Sequence, residues 1–302
     1  MISKKIRING KKLNKDELVL DIETTGLDFR NDKLVLLGLV KIENDSAYIF
    51  QHFAQDDSEE IKLLNIYLRE IKNKKIITFN GDTFDIPFLN SRLISHKLFP
   101  VFPESSQDIY KIIKWHSKFF SYDSMKLVAI EKFIGIERND PSRYKAISKL
   151  SEDILTRDKP YPILKHNENH LIATEALSDI ENFYINKLSI DSKIGKFWIC
   201  KANINKDIGN FEFESEKKLE DLFVAENNYQ ISIKDTTIKL NIHVLYGSFN
   251  RDINGFVTIN HFDLKNESNI EVNDKLLIIR EDRIYNYKNL LNLCKKIIEN
   301  HY

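Results

Sequence analysis

Residues 18–27 read LVLDIETTGL, an apolar run that contains Asp21 and Glu23 and then breaks at Thr-Thr-Gly. The run predicts a buried strand, and side chains two residues apart on a strand point to the same face. Two neighbouring carboxylates in apolar surroundings repel each other and are costly to desolvate, and a bound cation relieves both penalties. The pair therefore predicts a site for a hard divalent metal such as Mg²⁺ or Mn²⁺. Two solvated acids at the end of a strand are the alternative.

The segments that follow this strand predict an α/β fold. Two more apolar stretches, residues 33–42 and 46–53, come after short polar turns and favour a three-stranded antiparallel meander. Strand and helix patterns then alternate from residue 56 to residue 110, which is typical of parallel strands. On the other side, Asn9-Gly10 between short alternating runs predicts a hairpin.

The pattern changes near residue 190, where a long predicted helix that starts at residue 163 ends. Short alternating stretches separated by Asn, Asp and Gly follow, with a small helix expected at residues 217–223 and an amphipathic one at 287–300. We therefore predict two domains: residues 1–190, which are α/β, and residues 191–302, a smaller β-rich α+β domain of unknown role.

The composition limits the classes of protein. Among 302 residues, 45 basic and 45 acidic side chains cancel, which argues against coating nucleic acid through bulk charge but permits a local basic groove. No apolar run approaches the roughly 18 residues of a membrane span, and the N-terminus has no signal-peptide core. Cys200 and Cys294 are far apart in sequence and favour free thiols. We expect a cytoplasmic protein with no membrane partner.

A second acid lies in FNGDTFDIPFL, residues 79–89. Asp85 falls in the first turn of a helix that follows a parallel strand, and ligands gather at the C-terminal ends of such strands. Asp85 can therefore face the first acid pair. Asn80 begins a tight turn that lets a substrate backbone approach. Phe84 lies one helical turn from Phe88, so the two could stack on a base, although packing in the core is the favoured alternative.

A third signal is the pair His166 and His170, which lie one helical turn apart and project together. Two histidines at this spacing are a common metal-binding arrangement. Two solvated histidines on a polar helix are the alternative, and the pair alone favours it.

These three signals, in this order, resemble the DEDD superfamily of ribonuclease H-like 3′–5′ exonucleases. DIETTGL resembles the first exonuclease motif, and FNGDTFDIPFL is similar to the second. His166-Asn167 resembles the start of the third motif, His-Asn-x-x-Asp, in the bacterial predicted-exonuclease branch of that superfamily. SMKLVAIEKFIGIER, residues 124–138, also resembles that branch, and the resemblance covers roughly residues 16–188.

The resemblance implies a ribonuclease H-like mixed sheet of three antiparallel strands followed by parallel strands, flanked by helices. It implies hydrolysis of phosphodiester bonds at the 3′ end of single-stranded DNA or RNA with two Mg²⁺ or Mn²⁺ ions. His166 would be the general base. The implied metal ligands are Asp21, Glu23, Asp85 and His170, and the implied substrate contacts are Thr24, Asn80 and Phe84.

The sequence departs from that family at His170, which stands where the family has its fourth acid. A neutral imidazole binds Mn²⁺ and other transition metals but is a poor ligand for Mg²⁺, which puts the second ion in question. Three interpretations stay open at this point. His170 is itself a ligand, a nearby acid (Glu168 or Glu175) takes its place, or the domain is a degenerate nuclease that acts as a nucleic-acid-binding or assembly module without cutting. A phosphatase or another metallohydrolase on the same fold is a further alternative, because fold does not fix function.

Overall fold

The structure is a computed structural model, and it describes residues 1–10, 12–136 and 147–301. The chain divides into two compact units. The first contains Met1–Lys114 and Tyr122–Ile180, and the second contains Trp115–Ser121 and Glu181–Tyr302. The segments predicted to form the resembled family's fold therefore lie mainly in the first unit.

The first unit is built on one mixed sheet with the strand order β1-β4-β3-β2-β5-β6. The pairs β1–β4, β4–β3 and β3–β2 are antiparallel, whereas β2–β5 and β5–β6 are parallel. This confirms the predicted ribonuclease H-like mixed sheet. The strands are β1 (Ile2–Ile8), β2 (Glu17–Thr24), β3 (Leu34–Glu43), β4 (Ser46–Phe53), β5 (Lys75–Thr78) and β6 (Ser105–Asp108).

Helices cover both faces of this sheet, because the central strands are apolar on both sides. Leu18, Leu20 and Ile22 of β2 pack into one core with α1 and α2. Val35, Leu36 and Phe53 pack on the other face with α5 and α6. The helices that begin in this unit are α1 (Glu60–Glu70), α2 (Asp85–Ser95), α3 (Ile109–His116), α4 (Leu127–Ile134), α5 (Ile147–Thr156) and α6 (Pro160–Ala176), and the helix that follows, α7 (Ile180–Lys187), lies in the second unit from Glu181 onward.

A buried ion pair joins α1 to α2. Arg92 donates through Nε and Nη2 to the two carboxylate oxygens of Glu60, each at 2.8 Å. His96 Nε2 lies 2.7 Å from Glu60 Oε2, and the Leu34 N–H donates to Oε1 at 2.8 Å. Burial opposes the charge of Glu60, but the hydrogen bonds from Arg92, Leu34 and His96 outweigh it and lower the pKa of Glu60.

The predicted hairpin at Asn9-Gly10 is wrong. β1 pairs along its whole length with β4, from Ile2 opposite Phe53 to Ile8 opposite Ala47. Residues 9, 10 and 12–14 are not in a strand. The edge of β4 offers β1 a seven-residue ladder, and this tertiary pairing outweighs the local turn signal.

The long helix predicted from residue 163 to about residue 188 is in fact two helices, α6 and α7. The chain turns at residues 177–179, where the Ser178 carbonyl accepts a hydrogen bond of 2.6 Å from Gln107 Nε2. A side chain of β6 thus binds a carbonyl that a continuous helix would use internally. The sequence pattern contains no trace of this contact, since Gln107 is distant along the chain.

The second unit contains two antiparallel sheets and a C-terminal helix, α8 (Tyr287–His301), which packs against β7, β8 and β15. One sheet has the order β10-β11-β12-β9-β8-β7 and the other β13-β14-β15-β16. The predicted β-rich α+β character of this part of the chain is confirmed. Its strands are β7 (Ser189–Ser192), β8 (Gly195–Asn205), β9 (Ile208–Ser215), β10 (Leu222–Ala225), β11 (Tyr229–Lys234), β12 (Thr237–His243), β13 (Leu245–Ser248), β14 (Asn254–Ile259), β15 (Leu276–Glu281) and β16 (Ile284–Tyr285).

The small helix expected at residues 217–223 is wrong. Leu222 and Phe223 belong to β10, which pairs with β11 so that Phe223 lies opposite Ser232. The apolar spacing that suggested a helix is satisfied here by the edge of a sheet. Within the described residues, no helix combines the length and the apolarity that crossing a membrane requires.

Candidate functional site

Three carboxylates meet at the C-terminal end of β2. Asp21 and Glu23 extend from the opposite face to Ile22, so they share one face as the period of two predicts. Asp85 is the first residue of α2, and its Oδ1 accepts a hydrogen bond of 3.2 Å from the Ile22 backbone N–H. The pairing of β2 with β3 shifts register directly after Glu23, and such bulges re-aim side chains at sheet ends.

The pKa values of Glu23 and Asp85 reflect their burial first and the charges of neighbouring acids second. Burial, followed by the charges of Asp21 and Asp85, raises the pKa of Glu23 well above its ordinary range. Burial and the charges of Asp21 and Asp108 likewise raise the pKa of Asp85, against the opposing hydrogen bond from Ile22. Glu23 Oε1 is buried without a hydrogen-bond partner in the described part of the chain. Among the described residues, neither Glu23 nor Asp85 has a basic side chain that would offset its charge.

Asp108, at the end of β6, organises the loop that leads to Asp85. Its carboxylate accepts hydrogen bonds from the backbone N–H groups of Asn80 at 2.8 Å, Tyr110 at 3.0 Å and Asp82 at 3.3 Å. Asn80 has a φ of 68°, in the left-handed region that asparagine tolerates better than most residues. Asp108 thus fixes a strained turn and, through it, the start of α2.

Asn167 of α6 lies over a row of three residues that cross the sheet. Asp21, Gly38 and Gln51 are direct partners on β2, β3 and β4. Asn167 Nδ2 donates to Asp21 Oδ2 at 2.7 Å, and Gln51 Nε2 donates to Asn167 Oδ1 at 2.9 Å. Gln51 Nε2 also donates to the Leu164 carbonyl at 2.7 Å. The bond from Gln51 fixes which end of the Asn167 amide faces Asp21.

Gly38 makes this contact possible. A Cβ at position 38 would lie 2.2 Å from Asn167 Oδ1, so the buried Asn167 amide would have to shift. The glycine lets α6 approach the sheet closely at the point where Asn167 meets Asp21.

His170 faces the same acid from the next turn of α6. Its Nδ1 lies 3.8 Å from Asp21 Oδ1, too far for a hydrogen bond but within the reach of one cation that contacts both atoms. The ring centroid of His166 is 4.2 Å from that of His170. α6 therefore brings Asn167 and His170 to Asp21 and places His166 beside the ring of His170.

With this geometry described, the chain can be compared with known proteins. A family model of the RNase_H superfamily matches residues 18–181, more than half of the chain. The chain belongs to the RNase_H superfamily. The ribonuclease H-like resemblance predicted from the motifs is thereby confirmed.

One curated protein of this kind is the uncharacterized protein YprB of Bacillus subtilis (strain 168). It is 27% identical over 184 residues, which are 56% of this RNase_H-superfamily chain and 43% of YprB. The chain thus spans less than half the length of that relative.

Matching solved structures include Escherichia coli exonuclease I with a dT13 oligonucleotide, at 12% identity and a TM-score of 0.38, covering 64% of this chain and 54% of that one. A moderately thermophilic exonuclease I from Methylocaldum szegediense matches at 11% identity and a TM-score of 0.36, covering 64% and 53%.

Two other acids were alternatives to His170 as the fourth metal ligand, and each already accepts a hydrogen bond. Glu168 Oε1 accepts a bond of 2.5 Å from Lys165 Nζ. Glu175 Oε1 accepts a bond of 2.9 Å from the Lys12 backbone N–H. Of the three residues considered for this position, His170 is the one that the structure describes beside Asp21.

Two of the predicted substrate contacts, Thr24 and Phe84, also make contacts within the protein. The Thr24 hydroxyl donates to the Gly26 carbonyl at 2.7 Å and shapes the turn after β2. Phe84 is partly exposed and packs against Phe29 and Phe88, with ring centroids 5.7 and 5.5 Å away. Phe88 is fully buried, so stacking on a base is closed to it.

The acid group of this RNase_H-superfamily chain fits a divalent cation by the chemistry of its donors. Among the described residues, no set of three or more His, Cys, Asp or Glu side chains is already arranged as a metal cage. The raised pKa values and the unpartnered Glu23 Oε1 nonetheless mark oxygen donors that a cation would satisfy. His170 adds a nitrogen donor 3.8 Å from Asp21 Oδ1.

Sequence reasoning missed Gln51, Gly38 and Asp108 as parts of the site of this RNase_H-superfamily chain. Two of them leave readable signals. Gln51 follows Ala47 and Ile49 on the buried face of β4, where the alternation calls for an apolar residue. Gly38 interrupts an otherwise apolar strand, which signals close approach of another element. For Asp108 the signal is weak, since a single acid at the end of a short strand is common.

Proposed function

We propose that this chain is a metal-dependent 3′–5′ exonuclease that hydrolyses phosphodiester bonds at the ends of single-stranded DNA or RNA. The observation that carries the proposal is the pair of buried acids Glu23 and Asp85, which lie beside the half-buried Asp21 at the end of β2 in an RNase_H-superfamily fold and whose pKa values are raised. Maintaining unneutralised buried acids costs stability, and this cost is explained when the group has a cation to bind.

Asp21, Glu23, Asp85 and His170 would hold the metal, with Mn²⁺ favoured over Mg²⁺ because an imidazole replaces a carboxylate. When bound by these residues, divalent ions would supply activation of a water molecule and stabilisation of the leaving oxygen. The second ion depends on His170, which is the weakest member of the set for Mg²⁺.

The side chains of this protein have distinct tasks in that reaction. Asn167 donates to Oδ2 of Asp21, which leaves Oδ1 directed to the side where His170 lies. His166 would accept the proton of the attacking water on a ring nitrogen, since an imidazole with a pKa near 6.5 suits that role at neutral pH. Thr24, Asn80 and Phe84 would contact the terminal nucleotide, Asn80 through its side chain because its N–H already bonds to Asp108.

The test is digestion of single-stranded DNA and RNA labelled at the 3′ or 5′ end, with Mg²⁺, Mn²⁺ or EDTA, using wild type and Asp21→Ala. We expect shortening from the 3′ end that requires metal, with Asp21→Ala reducing the rate more than about a hundredfold, since even outer-shell substitutions cost up to that much. Glu168→Ala is the matched control, because its carboxylate is bound by Lys165 on the same helix. A wild-type chain without metal-dependent cleavage would refute the proposal.

A second experiment addresses His170 directly. His170→Asp restores the acid of the resembled family and should raise Mg²⁺-supported activity relative to Mn²⁺-supported activity. An unchanged ratio would mean that the metal is held without position 170.

A further inference from the structure

A groove of about 520 Å³ lies beside the start of α2, next to the acid group but outside it. One wall is apolar and is formed by Ile86, Pro87, Phe102 and Pro103. Phe102 is 76% exposed, although it lines a groove into which its ring could pack. An exposed aromatic ring on the wall of a cavity is typical of a site that binds a flat apolar ligand.

The remaining lining is polar: Asp82, Asn90, Ser106 and Lys111. Asn90 is only 6% exposed, and its Oδ1 accepts a hydrogen bond of 2.8 Å from the Val101 N–H, which fixes the orientation of the amide. Its Nδ2 is buried without a hydrogen-bond partner among the residues that the structure describes. A ligand with an acceptor atom would satisfy this donor.

The groove and the acid group share the same loop and helix start. Ile86, in the apolar wall, directly follows Asp85. Asp82, on the polar rim, donates its backbone N–H at 3.3 Å to Asp108, the carboxylate that also holds the turn before α2. A ligand in the groove is therefore adjacent to whatever Asp85 binds.

We propose that this groove binds one nucleobase of single-stranded nucleic acid, belonging to a nucleotide next to the one held at the acids. This inference rests on the proposed function. Phe102 stacks on the face of the base, and Asn90 Nδ2 donates to a ring nitrogen or carbonyl oxygen at its edge. Lys111 lies 2.6 Å from Asp82 Oδ2 and neutralises this carboxylate, so the rim does not repel the adjoining phosphate.

The test is binding of fluorescent ten-nucleotide oligonucleotides in EDTA, in which a single abasic position is moved stepwise from the 3′ end. The full chain is used as wild type and as Asp21→Ala, which removes one of the repelling charges. We expect an abasic residue at one position to weaken binding about tenfold, as the loss of one base–aromatic stack does. Phe102→Ala should remove this position-specific penalty, and Phe102→Trp should restore it.

Phe99→Ala is the matched control, since Phe99 is 88% exposed in the same segment but does not line the groove. It should keep the abasic penalty of the parent chain. Three results would each overturn the inference. They are an abasic penalty that is equal in the parent and in Phe102→Ala, a binding profile with no position-specific penalty, and no measurable binding. Cleavage by the wild type separates the two proposals: cleavage with a penalty independent of Phe102 refutes the groove alone, and a Phe102-dependent penalty without cleavage refutes the exonuclease alone.

Discussion

Two groups of buried carboxylates in the first unit are in opposite electrostatic states. Glu60 is met by Arg92, His96 and a backbone N–H, and these contacts lower its pKa. Glu23 and Asp85 face other acids, and their pKa values are raised. Burial is common to both groups, so the difference lies in the partners that the fold supplies. Glu60 has a guanidinium partner within the fold, whereas Glu23 and Asp85 have no basic partner among the described residues, which is why we propose a metal ion for them.

The largest expected effect comes from removing the ion-pair partner of Glu60. Arg92→Leu leaves Glu60 buried without its guanidinium, and removing one partner of a buried ion pair lowers the free energy of unfolding by about 3–5 kcal/mol. Urea unfolding followed by circular dichroism measures this. Arg69→Leu is the control, because Arg69 is exposed and its pair with Glu70 should contribute less than about 1 kcal/mol. Equal losses in the two variants would contradict the comparison.

The next effect concerns the hydrogen bonds that orient Asp21 in the acid group. Gln51→Leu removes the donor that orients Asn167, so Asp21 loses a fixed hydrogen bond, and we expect a fall of about 10- to 100-fold in cleavage rate or Mn²⁺ affinity. Exonuclease kinetics and calorimetric Mn²⁺ titration provide the measurements. Gln55→Leu, on an exposed position just beyond β4, should leave both unchanged. A Gln51→Leu chain with wild-type rate and affinity would show that Asn167 needs no such support.

A smaller effect of opposite sign is expected at Glu23. Without metal, Glu23→Gln removes a charge that burial and two neighbouring acids disfavour, and should stabilise the chain by about 1–2 kcal/mol. Thermal unfolding in EDTA should therefore give a higher midpoint than wild type, and added Mn²⁺ should raise the midpoint of wild type more than that of Glu23→Gln. Glu168→Gln provides a control at an acid that already has a lysine partner. A lower midpoint for Glu23→Gln in EDTA would mean that the acids are not mutually destabilising.

The smallest effect is the pH dependence of the Glu60 group. The folded-state pKa of Glu60 lies below its unfolded value of about 4.3, so its contribution is present above that pH and is lost as pH falls through the folded pKa. Wild type should therefore exceed Glu60→Gln in unfolding free energy at pH 7, with the gap shrinking by about 1 kcal/mol below pH ~4. Urea unfolding at stepped pH tests this, and a gap that widens on acidification would reverse the sign assigned to Glu60.

Sequence patterns predicted those parts of the fold that depend on local alternation. The acid pair on β2, the meander and the switch to parallel strands all follow from strand periods and turn residues between nearby segments. The pattern failed where a distant segment changes a local preference. β1 pairs with β4 instead of folding back at Asn9-Gly10, and Gln107 ends α6 from a strand some 70 residues earlier.

The site divides in the same way. Asp21, Glu23 and Asp85 were predicted as ligands from two motifs, and His170 was predicted from its spacing to His166 and its place in the third. The contact of Gln51 with Asn167 spans 116 residues and joins residue types that are ordinary in isolation. Only the register of three strands brings Asp21, Gly38 and Gln51 into one row, and register is a property of the paired sheet that a single stretch does not reveal.

Because Gly38 has no Cβ, α6 can lie closer to the sheet at this position than any other residue on β3 would allow. Because a single methyl group at position 38 would overlap the Asn167 amide, the depth at which α6 rests on the sheet is set by the smallest side chain available. Asn167 and His170 move together with that helix, so the separation between His170 and Asp21 is adjustable from β3, a strand that supplies none of the proposed metal ligands. The radius of the proposed metal ion would therefore depend partly on the contact between Gly38 and the Asn167 side chain, and a substitution on β3 would change it without altering any proposed ligand.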